Sequence, residues 1–224
     1  QTKCFSSSLL PDVPAAFRER YNKYCGGLLD DLDLQNLVFA GGSVLTCLTS
    51  EPPDLVNLNE ALKRVDMDDR NERRKNPIVP AKSPQYEGDV DIFIVGLTAE
   101  EAVQKLEQIG TQMRRNAHRL GGKFMLVVRG KYAVTFVRGF PYRHVQVILV
   151  AYRSPLEVVV PFDLDSCCFL YDGDKVRCLP RARRALQYRA NIADTDMRSR
   201  TFEKRILKYS RRGFALAVPG LDTE

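Results

Sequence analysis

Apolar residues recur along this chain with two periods, and the switches between them predict its elements. Val13, Phe17, Tyr21 and Tyr24 fall three or four apart, which predicts a helix over 13–25 stopped by Gly26-Gly27. Residues 37–40 (Leu-Val-Phe-Ala) are a short apolar run, read as a buried strand. Gly41-Gly42-Ser43 then turns the chain into a short helix over 44–48. Residues 89–95 predict a strand that ends at Gly96. Thr98 and Glu101 make a capping-box pattern. Ala99, Ala102, Val103, Leu106, Ile109, Met113, Ala117 and Leu120 then form one apolar helix face up to Gly121-Gly122.

Two β-rich runs, 124–129 and 132–137, meet at Gly130-Lys131 and predict a hairpin. Residues 145–150 predict another strand, and Pro155 opens a short helix that stops at Pro161. Residues 162–171 and 176–179 are expected to be strands around Asp172-Gly173-Asp174. From Pro180 the pattern is helical to about 191, and again over 198–211 before Gly213.

Residues 50–87 break the periodicity with Pro52-Pro53, a charged run over 66–76 and further prolines. They predict a charged insertion with one short helix at 55–64. Residues 1–12 read as a lead-in. The expected architecture is α/β: a mixed central sheet flanked by helices over 1–179, then a basic helical segment over 180–224.

Composition narrows the class. Apolar residues make up 44% and charged residues 28%, which excludes wholesale disorder. No apolar run approaches the roughly 18–20 residues of a membrane helix, so no membrane partner is expected. Six cysteines without a C-x-x-C pair and only two histidines argue against a zinc site. The thiols read as reduced and buried, which implies an intracellular location, cytoplasm or nucleus. The chain starts without Met or an apolar leader, so no signal peptide is expected, and other domains of a longer chain are possible partners. The net charge of +6 resides entirely in residues 181–224, which hold 11 basic and 5 acidic residues. Such a segment fits nucleic acid or phosphates, and equally a solvated helix face.

Two short motifs could carry chemistry. Gly41-Gly42-Ser43 sits where a strand becomes a helix. Glycines there let a ligand approach the backbone, and the helix start offers free N–H groups. The turn is a candidate phosphate cradle, or simply a helix start. Asp89 and Asp91 are two apart on one strand, so both carboxylates point to the same face. A hard cation such as Mg²⁺ or Mn²⁺ would relieve their repulsion. The other reading is an edge strand with exposed acids.

Phe39-Ala-Gly-Gly-Ser43, a short helix and then Asp89-Val-Asp91 together resemble the signature of the DNA polymerase β-like nucleotidyltransferase superfamily. The resemblance covers residues 37–96 and implies extension to about 172. It implies that Gly41, Gly42 and Ser43 hold the β- and γ-phosphates of a nucleoside triphosphate, and that Asp89 and Asp91 bind two Mg²⁺ ions. The 45 residues between Ser43 and Asp89 exceed the family's spacing, so an insertion loops out. The family also has a third carboxylate on a later strand. Asp163, with Asp165 second, competes for it with Gln146, an amide at the place strand order favours.

In transferases of this kind a later helical region supplies cations to the triphosphate, which makes Lys204 and Lys208 candidates. Tyr188 or Tyr209 could stack a base, or serve as core anchors. The activity implied is metal-dependent transfer of a nucleoside monophosphate from a triphosphate to an unidentified hydroxyl acceptor. The alternative is an inactive module of the same fold that binds nucleotide or nucleic acid within a larger protein. An acid at 163 or 165 beside Asp89 and Asp91 favours the first; Gln146 beside them favours the second.

Overall fold

The structure is a computed structural model that describes residues 8–9, 14–49, 88–121, 125–138, 142–194 and 196–220. The predicted insertion at 50–87 lies outside the described residues, as does most of the lead-in. Ten strands and six α-helices are described. The strands are β1 (Ser8–Leu9), β2 (Leu37–Ala40), β3 (Val90–Val95), β4 (Leu126–Arg129), β5 (Ala133–Val137), β6 (Val145–Tyr152), β7 (Phe169–Tyr171), β8 (Val176–Cys178), β9 (Ala190–Ile192) and β10 (Ala215–Ala217). The helices are α1 (Pro14–Cys25), α2 (Gly42–Thr49), α3 (Ala99–Arg119), α4 (Pro155–Val159), α5 (Pro180–Tyr188) and α6 (Phe202–Ser210).

Eight strands make one mixed sheet in the order β1-β8-β7-β2-β3-β6-β5-β4, and β9 and β10 pair separately in parallel. Within the large sheet β3 and β6 run parallel and every other pair is antiparallel. The parallel pair requires a crossover, which α3 and the β4–β5 hairpin supply. The expected α/β class with a mixed, helix-flanked sheet is thus the observed one.

Burial follows the period-two pattern. Ile92 and Ile94 face one side of the sheet with Phe39, Val147 and Phe136, where Ile109 and Met113 of α3 are fully buried. α3 packs Gly110 over Phe136, where a Cβ would make an ordinary contact of 3.5 Å with that ring. On the same side Phe17 and Tyr21 of α1 pack against Phe39 and Tyr171, with centroids 5.0–5.6 Å apart. Thr98 caps α3 with the predicted reciprocal box, its hydroxyl accepting from Glu101 N–H and Glu101 accepting from Thr98 N–H. Phe93 faces the opposite side, against Phe162 and Tyr152.

The structure corrects two predicted elements. The strand expected over 162–171 is confined to β7, because residues 165–167 form a 3₁₀ turn in which Cys168 N–H bonds Asp165 carbonyl. Asp163 and Asp165 therefore do not alternate along a strand face. The helix expected to run to 191 ends at Tyr188, where Arg189 takes a left-handed conformation (φ 53°) and the chain enters β9. The five described cysteines are all buried. No described helix is long and apolar enough to cross a membrane.

Candidate functional site

The Gly-Gly turn closes one wall of a cleft. Gly41, at φ 83°, donates its N–H to Phe169 carbonyl and accepts from Leu45 N–H, which starts α2. Gly42 is required for another reason. A Cβ there would sit 2.6 Å from the Tyr209 hydroxyl, and Tyr209 is a core residue packed against Phe214. Gly42→Ala is expected to cost about 1–3 kcal/mol of stability by overpacking. Adding Tyr209→Phe should restore most of that loss, because it removes the clashing atom; denaturant midpoints of the single and double variants decide. Ser43 is buried, its hydroxyl 3.4 Å from that of Tyr21.

β3 supplies the floor. Asp89 is exposed just before the strand and Asp91 is half-buried within it. Burial, reinforced by the Asp89 charge and opposed by Lys208, pushes the Asp91 carboxyl up from 3.8 to about 6. The parallel register sets Gln146 of β6 beside Asp91, and its amide donates to Asp89 at 2.9 Å. The place that strand order favours for a third acid is therefore held by an amide next to the pair.

α6 forms the facing wall. Arg205, Lys208, Tyr209 and Arg212 line the cleft together with Gly41–Ser43, Asp89, Asp91, Phe93, Ile148, Phe162 and Cys167, around a volume of about 280 Å³. Arg212 reaches Thr46 at 3.4 Å. Arg205 and Lys208 are three apart on α6 and share one helix face, and Arg212 follows in the turn after it. The expected pair Lys204 and Lys208 takes in one of these cations and misses Arg205 by one position. The 205/208/212 spacing was present in the sequence, but only packing shows which face turns inward.

The sequence-based candidates thus divide. Gly41, Gly42, Ser43, Asp89, Asp91 and Lys208 converge on one cleft. Lys204 is exposed and is not among the residues lining it. Asp163 is buried in an ion pair with Arg205 and accepts Ser199 N–H at 3.2 Å. Asp165 is buried between Arg181 (3.4 Å) and Arg184 (3.0 Å) and accepts Ile192 N–H at 3.1 Å. Both acids are committed to arginines rather than to the Asp89–Asp91 pair. Tyr188 is 69% exposed and does not line the cleft, and Tyr209 is a core anchor.

Two carboxylates on one strand face fit a single hard divalent cation. Among the described residues no three His, Cys, Asp or Glu side chains gather to hold a metal. The three-acid, two-ion arrangement that the resemblance implies therefore lacks a carboxylate among them.

A glycine turn, an acid pair and the cations of α6 thus surround one cleft on a mixed α/β sheet. Residues 15–189 match the Gabija anti-defense 2 family, and the chain belongs to that family. It is also 27% identical over 228 residues to an uncharacterized protein of Acanthamoeba polyphaga mimivirus. That match covers 97% of this chain but only 43% of the viral protein.

Proposed function

We propose that this chain is a nucleotidyltransferase-like module that binds the phosphates of a nucleoside triphosphate, with one Mg²⁺ or Mn²⁺ held by Asp89 and Asp91. The observation that carries the reading is the convergence of the Gly41–Ser43 turn, the acid pair and the α6 cations on one cleft. Asp89 and Asp91 would hold the ion, which would neutralise their repulsion and part of the phosphate charge. Lys208 stands near enough to Asp91 to offset its charge and to meet a phosphate beside it. Gln146 in place of a third acid favours binding over transfer. Transfer to a hydroxyl acceptor is the second reading, and the Asp89–Asp91 pair itself favours it.

The family's name attributes Gabija anti-defense to its members. We infer that this chain acts in the same way, inside the cell, through its nucleotide-phosphate cleft.

Binding of labelled triphosphates with Mg²⁺ or Mn²⁺ tests the reading in the wild type and in an Asp89→Ala/Asp91→Ala double variant. Metal-dependent binding is expected in the wild type and at least a tenfold loss in the variant. Absence of metal-dependent triphosphate binding by the wild type sinks the proposal. In parallel, pyrophosphate release is followed with RNA, DNA and protein acceptors. Release that vanishes in the double variant promotes the transfer reading. In cells carrying Gabija defence, the wild type should lift protection and the double variant should not.

A further inference from the structure

The floor of the cleft changes character one step along the sheet. Asp91 of β3 pairs in register with Gln146 of β6, and the next row on the same face is Phe93 beside Ile148. The two rows are about 6.6 Å apart at the rise of a strand. Phe162 leans over this second row: its ring centroid is 6.2 Å from that of Phe93, at 50°. It also reaches back to the glycine turn, with a ring carbon 3.7 Å from where a Gly41 Cβ would stand. Phe162 and Ile148 are half-buried, so both keep surface free for a ligand.

Most polar side chains of the cleft already have a partner. Asp89 accepts from Gln146, Asp91 faces Lys208, Arg205 pairs with Asp163, Arg212 reaches Thr46, and Ser43 meets Tyr21. Phe93 is itself buried beneath Phe162 and Tyr152, so a group resting on this row meets the apolar surfaces of Ile148 and Phe162.

We infer that Ile148 and Phe162, backed by the buried Phe93, form a nucleobase platform that packs on base faces without reading base edges, so that the site accepts all four common nucleotides. The inference rests on the reading that the acid pair and Lys208 hold the phosphates. Phosphates at the first row leave the base over the second, with the ribose between. Every base has a π-face, so stacking on aromatic and aliphatic surface is sequence-tolerant, and the bases keep their polar edges in water.

Calorimetry with Mg²⁺ separates the phosphate contribution from that of the base, using ATP, GTP, CTP, UTP and inorganic tripolyphosphate as probes. The four nucleotides should bind within about threefold of one another, and tripolyphosphate roughly tenfold or more weakly, since one stacked base contributes that much. Phe162→Ala and, independently, Ile148→Ala should bring the nucleotides toward the affinity of tripolyphosphate while leaving tripolyphosphate unchanged. Two variants are used so that misfolding of one, seen in its melting curve, does not remove the test. A preference above tenfold for one base, equal binding of tripolyphosphate and nucleotides, or equal weakening of both by the variants overturns the platform. If the wild type binds tripolyphosphate but gains nothing from a base, the phosphate reading stands and the platform falls. If it binds neither, both fall.

Discussion

Replacing Asp163 with alanine is expected to destabilise the protein by about 3 kcal/mol, at the lower end of what breaking a buried ion pair costs. The Asp163 side chain is 1% exposed and that of Arg205 is 33% exposed. Removing the acid strands a guanidinium that can reach water only in part. It also frees Ser199 N–H at the approach to α6. α6 carries Lys208 and Tyr209, and Arg212 follows in the turn after it, so the loss should spread to the cleft. In a chain of this size the melting temperature should fall by roughly 6–12 °C. Asp163→Asn keeps an acceptor for Ser199 and should lose about half as much. The measurement also discriminates between roles for Asp163. A metal-binding acid kept apart from any arginine would gain stability, or lose little, when neutralised. An unchanged melting temperature in Asp163→Ala, with triphosphate binding abolished, would return Asp163 to the ligand set of the cleft.

The second large effect is a pH dependence centred on Asp91. The groups that set its charge are Asp89, which repels it, and Lys208, which attracts it; burial is the largest influence. Its folded-state pKa of about 6 lies above the ordinary 3.8. The folded protein therefore holds a proton that the unfolded chain has released between about pH 4 and 6. Stability from this group is complete below pH 4 and is lost as pH rises through 6. A rise of that size corresponds to about 3 kcal/mol, and partial exposure reduces this to about 1–3 kcal/mol. Asp91→Asn should flatten the stability profile between pH 4 and 6 and raise stability by that amount at pH 7.5. Adding Mg²⁺ should stabilise the wild type above pH 6, where Asp91 is ionised, and leave Asp91→Asn nearly unchanged. Denaturant titrations at several pH values, with and without the cation, measure both effects. A variant no more stable than the wild type at pH 7.5 would show that Lys208 already neutralises Asp91.

The two effects have opposite signs for a physical reason. Asp163 is a buried charge with its partner in place, so its removal leaves an unpaired cation. Asp91 is partly buried beside a like charge, so its neutralisation removes a desolvation cost and a repulsion.

Much of the fold was local and therefore legible along the chain. The capping box of Thr98 and Glu101 depends on residues three apart, and the apolar face of α3 depends on one helix period. The shared face of Asp89 and Asp91 follows from the pleat of a single strand. The glycine turn between β2 and α2 could be placed because apolar run, turn and helix are contiguous. What tertiary structure alone decided was which distant groups meet. The alternation of Phe162, Asp163, Leu164 and Asp165 looked like a strand, and the chain instead makes a 3₁₀ turn whose acids are claimed by arginines 16 or more residues away. The face of α6 turned inward depends on Tyr209 seating over Gly42, a contact across 167 positions that no periodicity encodes. Gln146 became the neighbour of the acid pair only when β3 and β6 took parallel register. Local sequence thus set the elements and the two acids. Long-range packing, where loop closure and burial outweigh local preference, chose the partners that complete the cleft.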